Sequence, residues 1–368
     1  MRICIDATGL GSVKTGTAVY VTEILKCWNA DSSLDHEFVI FASPKTVPYL
    51  RNIGLDRRFH FIDAPDRRAI RVFWQQLALP RLLRRLRADV HWGSGFILPL
   101  LANVPTVVTV HDLSAKLFAG VHEPVKRWYF PKMTGAAVRK AKQVIAISAS
   151  TERDLHTHFP VSHGKTAITL LAARELSDAG SSDAVPPGFA PARYLVCLGT
   201  VEPRKNIARL LEAWLGIDER HRQGIKLAVV GVRGWMMDDL LARYQGDTGS
   251  ITFTGFIDDS ALKRLMQGAI ALAYPSLYEG FGLPVLEAMA QGVPVLTSDV
   301  GATKEISADA ALLVNPMDVS DIRGGLLRLL SDTRLRQQLA ERGRQQAAKF
   351  SWDQTARETL RVIEAAAA

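Results

Sequence analysis

Nine consecutive residues carry the strongest chemical signal in this chain: Glu279 and Glu287 bracket the run Gly-Phe-Gly-Leu-Pro-Val-Leu. Residues 270–276 before it read as a strand. Pro284 stands where the first residue of a helix favours proline. That helix is expected to run to about Gln291 and stop at Gly292, with Glu287 in its first turn. A glycine loop leading into a helix offers unpaired N–H groups to an anion. The two carboxylates can accept hydroxyl groups. A capped helix with an ordinary acidic first turn would have the same outline, so the whole string carries the signal rather than either acid.

Two further groups could do chemistry. Glu202-Pro-Arg204-Lys205-Asn206 follows the strand-like run at 194–200. Lysine supplies a point charge and arginine a bidentate fork, which together suit a diphosphate. His111 and Asp112 follow the apolar run at 104–110. His111 therefore sits at the carboxyl end of a strand, where a neutral imidazole can hydrogen-bond a hydroxyl. Asp112 is expected to hold the loop that follows, and His91, beside Trp92, reads as a strand end.

The elements that must position these groups alternate along the chain. Strands are expected at 2–7, 37–43, 104–112, 143–148, 194–200, 226–231, 250–255, 270–276 and 294–299. A helix over 17–28 would bury Val21, Ile24, Leu25 and Trp28. Ser148 to Glu152 resembles a capping box opening another helix. Short apolar strands separated by helices argue for parallel sheets covered on both faces. The expected fold class is α/β: two Rossmann-like, doubly wound domains facing each other. Ligands of such sheets sit at the carboxyl ends of the strands, and the cleft between the domains is the default site. The expected boundaries are 1–175 for the first domain, 176–193 for a Ser-, Asp- and Pro-rich linker and 194–350 for the second. A last helix, 351–368, is expected to pack back toward the first domain.

Composition excludes several classes. No apolar run reaches the roughly 18 residues of a membrane span. The N-terminus enters a strand at once, so no signal peptide is expected. Cys4, Cys27 and Cys197 form no metal spacing and read as reduced core residues of a cytoplasmic protein. HExxH, CxxC and GxSxG are all absent. The glycines at 11 and 16 have phosphate-loop spacing, but Thr17-Ala18 follows where Lys-Ser or Lys-Thr is needed. The net charge of +8 divides into +10 for residues 1–175 and −2 for the rest. Arg67, Arg68, Arg71, Arg81, Arg84, Arg85 and Arg87 supply much of the surplus. Such a half suits an anionic partner or is simply a solvated face.

The string Glu279 to Val295 resembles the E-x7-E signature of retaining glycosyltransferase family 4, which has the GT-B fold. Residues 198–207, 252–262 and 350–360 resemble that family in order and spacing. The likeness implies transfer of a sugar from a nucleotide donor, without a cofactor or divalent metal. It places Glu279 and His111 at the donor sugar. Gly280, Phe281, Gly282 and Leu283 would lie along the sugar and phosphate, and Glu287 at the ribose. Lys205 and Arg204 would meet the diphosphate, Gly16 and Thr17 the donor phosphate and acceptor, and Gly255, Phe256 and Ile257 the base. Thr200 stands where many members carry arginine, so Arg204 is expected to supply the second cation. The surroundings of His111 resemble bacterial mannosyltransferases of surface-polysaccharide assembly. GDP-mannose is therefore the leading donor, ahead of dTDP-rhamnose and UDP-hexoses. The acceptor would be a glycan or a lipid-pyrophosphate-linked oligosaccharide, met by Asp112 unless that residue only holds its loop, and lined by His91 unless that residue is structural, with an anionic membrane surface as a further partner. A sugar-nucleotide epimerase, a phosphorylase and a nucleic-acid binder are the rivals. No nucleic-acid partner is expected, because such a binder leaves the Glu279 string unexplained.

Overall fold

The short apolar runs become strands, and among the described residues every strand pairing is parallel. The computed structural model describes residues 1–10, 15–118, 124–175, 188–231 and 249–368. The chain divides into two units, Met1–Ala172 with Ser351–Ala368, and Ala173–Phe350.

In the first unit the strands are β1 (Arg2–Asp6), β2 (Glu37–Ala42), β3 (Phe59–Asp63), β4 (Val90–Gly93), β5 (Thr106–Val110), β6 (Gln143–Ala146) and β7 (Thr166–Ile168). Their order is β3-β2-β1-β4-β5-β6-β7. The direction of winding reverses between β1 and β4, where ligands of doubly wound sheets gather. Helix Gly16–Ala30 follows β1 and buries Val21, Ile24, Leu25 and Trp28. Its cap is Thr15, whose hydroxyl accepts from the Ala18 amide at 3.3 Å. The last helix, Trp352–Ala367, packs on Gly16–Ala30. The Trp28 indole donates to the Ala356 carbonyl at 3.0 Å, and His36 Nε2 lies 2.9 Å from Glu364.

The second unit contains β8 (Tyr194–Leu198), β9 (Lys226–Val230), β10 (Ile251–Gly255), β11 (Leu272–Tyr274), β12 (Val295–Ser298) and β13 (Leu312–Val314). The order is β10-β9-β8-β11-β12-β13, so the switch falls between β8 and β11. Its core joins Leu195, Val229 and Ala273 of the sheet to Leu210, Trp214 and Leu326 of the flanking helices.

Several expectations need correction. Strands β3, β7 and β13 were not legible, and β4 was seen only as a strand end. They are three to five residues long; β3, β7 and β13 are edge strands and β4 an inner one, and runs of that length carry little periodicity. The strand expected at 270–276 is confined to Leu272–Tyr274. Ser148 does cap helix Ala149–His158, but its hydroxyl accepts from the Thr151 amide at 3.0 Å, and Thr151 rather than Glu152 holds the third helical position. Arg174 belongs to the second unit. Residues 11–14 of the first loop and 176–187 of the expected linker lie outside the described residues.

Candidate active site

The second unit gathers its charged candidates at the switch between β8 and β11. The loop after β8 carries Arg204 and Lys205, and the loop after β11 carries Glu279. Asn206 joins the two loops. It is buried in a left-handed conformation with φ 59°. Its Nδ2 donates to the carbonyls of Pro275 at 2.9 Å and Pro316 at 2.6 Å. The Leu277 amide donates to the Arg204 carbonyl at 2.9 Å, which adds a second stitch. Gly231 lets the neighbouring β9 loop come close, since a Cβ there would lie 2.1 Å from the Gly199 carbonyl oxygen.

This stitching turns both cations onto one carboxylate. Lys205 Nζ lies 2.7 Å from Glu279 Oε1, and Arg204 Nη1 lies 2.6 Å from Oε2. Arg204 also reaches the Tyr278 carbonyl at 2.9 Å and Glu202 at 2.6 Å. The Tyr274 hydroxyl accepts from Lys205 Nζ at 2.5 Å and donates to Glu279 Oε1 at 2.8 Å. Lys205 Nζ also stands 5.0 Å from the centre of the Tyr274 ring. Burial by itself would raise the Glu279 pKa; the charges of Lys205 and Arg204 outweigh it and hold it at about 2. Lys205 is shifted downward too, first by burial and further by Arg204, with Glu279 opposing. The two directions are compatible because Glu279 answers two cations, whereas Lys205 shares Glu279 with an arginine and has only a weaker effect from Glu202 to add. Burial, then the Glu279 charge, drive the Tyr274 phenol well above its ordinary value.

A second cluster surrounds Glu287. Helix Leu283–Ala290 starts from Gly282, whose φ of 105° suits glycine. Pro284 is its second residue, and Glu287 falls in its second turn rather than its first. One turn deeper, Glu287 is buried and meets a side chain instead of the helix-start amides. Its Oε1 lies 2.6 Å from Arg174 Nε, and Arg174 Nη1 reaches Asp259 at 3.0 Å. Burial raises the Glu287 pKa, and Arg174 offsets that only in part. The other candidates of this unit take these places: Gly280 is buried, and Phe281 packs edge-on to Phe350 with ring centres 6.0 Å apart. Thr200 and Leu283 are half-buried. Gly255 ends β10 with φ 71°. After it Phe256 is 68% exposed, and Ile257 is half-buried.

In the first unit His111 follows β5 and is buried between the rings of Tyr20 and Phe96, with centres 5.1 Å and 5.8 Å away. Its Nε2 lies 2.8 Å from the Ser94 carbonyl oxygen. A carbonyl only accepts, so Nε2 carries the proton and Nδ1 keeps its lone pair. Burial lowers the pKa, against the opposing effects of the Ser94 carbonyl and Asp112, which favours this neutral form. Asp112 caps the next turn, accepting from the Ser114 amide at 2.9 Å and hydroxyl at 2.7 Å. His91 lies buried inside the sheet, beside the Cys4 backbone and near Asp6, and among the described residues neither ring nitrogen has a hydrogen-bond partner of good geometry. Burial brings its pKa to about 4, the behaviour of a core residue. Gly16, exposed, and Thr17, half-buried, open their helix.

Sequence reasoning missed Tyr274 and Arg174. Tyr274 lies in the strand-like run at 270–276, where nothing local marks its hydroxyl. Arg174 stands in a stretch without periodicity, and nothing local marks it as the partner of Glu287. Among the described residues no three His, Cys, Asp or Glu side chains form a metal-binding group, and no helix is long and apolar enough to cross a membrane.

Two parallel doubly wound units, with a cation pair at the switch point of the second, define the GT-B class of glycosyltransferases. Residues 186–346 match the family model described as Glycosyl transferases group 1, and residues 14–169 match Glycosyltransferase Family 4. O-antigen chain mannosyltransferase B of Escherichia coli is 32% identical over 76% of this chain and 74% of its own length. The MMP alpha-(1->4)-mannosyltransferase of Mycolicibacterium hassiacum is 28% identical over 75% of this chain and 69% of its own. Among solved structures, WaaG, a glycosyltransferase involved in lipopolysaccharide biosynthesis, superposes with a TM-score of 0.75 at 18% identity, covering 98% of this chain and 99% of its own. HepE of Anabaena, solved with UDP and glucose, gives 0.74 at 17% identity over 99% of this chain and all of its own. The chain belongs to the group 1 glycosyl transferases and is a hexosyltransferase.

Proposed function

We propose that the protein transfers mannose from GDP-mannose, with retention at the anomeric carbon, to a hydroxyl of a growing bacterial surface glycan or its lipid-linked precursor. The observation that carries the transfer chemistry is the pairing of Arg204 and Lys205 on Glu279 at the β8–β11 switch. The mannosyltransferase relatives support the choice of sugar.

In this reading Arg204, Lys205 and the start of helix Leu283–Ala290 stabilise the charge that develops on the departing diphosphate. They supply positive charge from the chain itself, so no divalent ion is needed. The C1–O bond to the diphosphate breaks as the acceptor oxygen bonds to C1 from the same face, and the acceptor proton passes to a diphosphate oxygen. A carboxylate held at a pKa of about 2 by two cations is a weak nucleophile. Glu279 is therefore assigned to sugar hydroxyls rather than to a covalent intermediate. Glu287 takes the ribose, with Arg174 fixing its rotamer. His111 offers Nδ1 to a sugar hydroxyl, and exposed Phe256 offers a face to the base.

A panel of nucleotide sugars, presented without metal to a lipid-linked acceptor extract, tests this. The expected result is transfer from GDP-mannose into an α-linked product that survives EDTA and is lost with Lys205→Ala. Transfer from dTDP-rhamnose or a UDP-hexose alone would overturn the sugar. Donor isomerisation without an acceptor would overturn the reaction.

A further inference from the structure

We propose that Ser94 is a positioning residue for transfer: anchored to the end of β1, it holds His111 in the orientation that leaves Nδ1 open to the donor sugar. The inference rests on the role proposed above for His111. Ser94 stands just after β4, at the switch between β1 and β4, and is buried. Its hydroxyl donates to the Asp6 carbonyl at 2.6 Å, across the switch. Its carbonyl accepts from His111 Nε2 at 2.8 Å. One residue therefore ties together the ends of β1, β4 and β5. Phe96, two residues further on, packs its ring against His111, so the same short loop both hydrogen-bonds the imidazole and walls it in.

Both ends of this tie are themselves clamped. The buried Asp6 carboxylate accepts from the Thr8 amide at 2.9 Å, the Thr8 hydroxyl at 2.6 Å and Gln75 Nε2 at 2.7 Å. Gln75 Nε2 also donates to the Thr8 hydroxyl at 3.0 Å, which closes a ring of hydrogen bonds. The next residue, Gln76, donates to the Leu98 carbonyl at 2.9 Å and accepts from the Leu100 amide at 3.0 Å. Both glutamines belong to a π turn, Trp74–Ala78, a feature that often marks functional sites. One turn of helix thus holds the end of β1 with one residue and the loop that carries Ser94 with its neighbour. That loop is closely folded: a Cβ on Gly93 would lie 2.7 Å from the Leu98 side chain. Removing the Ser94 hydroxyl would leave the buried Asp6 carbonyl without this donor, and the loop must shift to satisfy it. The Ser94 carbonyl moves with it and releases the imidazole. A misplacement of about 1 Å at a reacting centre can lower a rate on the order of 100-fold.

Nitrogen NMR of the full chain labelled at histidine reads the ring directly, with the His111 signals assigned by their loss in His111→Ala. In the wild type the proton is expected on Nε2 and slow to exchange with water, with Nδ1 unprotonated. In Ser94→Ala the Nε2 proton should exchange faster. Initial rates of transfer from GDP-mannose then complete a cycle of Ser94→Ala, His111→Ala and the double variant. Ser94→Ala alone should lower the rate by up to about 100-fold. In the His111→Ala background it should add no further loss, whereas a serine that only supports the fold would lower both rates alike. Should Ser94→Ala unfold, Ser94→Cys, with a weak S–H donor in the same place, carries the same comparison. A proton on Nδ1 in the wild type, an Nε2 proton equally protected in the variant, or additive losses would overturn the proposal. Full activity of His111→Ala would overturn the role of His111 itself, and a wild type inactive with GDP-mannose would overturn the sugar; in both cases the NMR comparison still decides whether Ser94 orients the ring.

Discussion

Glu279→Gln separates a carboxylate that serves two cations from one that merely fills space. The side chain keeps its size and loses only its charge. In the wild type the carboxyl falls from an ordinary 4.5 to about 2, which corresponds to about 3 kcal/mol of stabilisation. A depressed folded pKa means that this stabilisation is complete above about pH 4.5 and is lost as the pH falls toward 2. At neutral pH the variant should therefore lose about 3 kcal/mol, roughly 6–12 °C in Tm for a unit of this size. The deficit should shrink as the pH drops below 4.5, because only the wild-type carboxyl protonates. Urea unfolding across that range measures it. A nucleoside diphosphate should raise the Tm of the variant more than that of the wild type, since it supplies the missing anion to Arg204 and Lys205. Transfer should nevertheless fall, because the sugar loses its hydrogen-bond acceptor. Equal stability at pH 7, a deficit independent of pH, or a smaller ligand shift in the variant would refute the account of Glu279 as shared counter-ion.

Tyr274→Phe keeps the ring beneath Lys205 and removes the hydroxyl that bridges it to Glu279. About 1 kcal/mol of stability should be lost, read by thermal unfolding, and transfer should fall in kinetics at fixed donor. Arg174→Met leaves Glu287 buried without its cation and should cost about 3–5 kcal/mol. Adding Glu287→Gln should restore part of that loss, and a double-mutant cycle by urea unfolding measures the coupling.

Much of the fold could be read along the chain. The strands at β1, β2, β5, β6, β8, β9 and β12 are largely continuous apolar runs, and burial on both faces of a parallel sheet writes that signal locally; β10, Ile-Thr-Phe-Thr-Gly at a sheet edge, shows by alternation instead. The glycine, proline and helix at 280–292 were equally plain, because turn and cap chemistry depends on neighbours in sequence. Short edge strands such as β7 and β13 pack on fewer sides and were silent. Three members of the site, Lys205, Arg204 and Glu279, stood out by residue type and spacing.

Their arrangement was not written in the sequence. Glu279 seemed free to meet a ligand from its loop, but the fold delivers Lys205 to it across 74 residues. Glu287 seemed to lie at a helix start, yet it sits a turn deeper on Arg174, 113 residues away. The Tyr274 hydroxyl, unmarked within its strand, lies between an ammonium and a carboxylate. Local sequence determined which segments became strands, turns and caps, because those choices are settled by backbone sterics and side-chain periodicity within a few residues. Tertiary structure alone decided which charges neutralise one another, because ion pairing in a buried site depends on where the sheet order brings distant loops together.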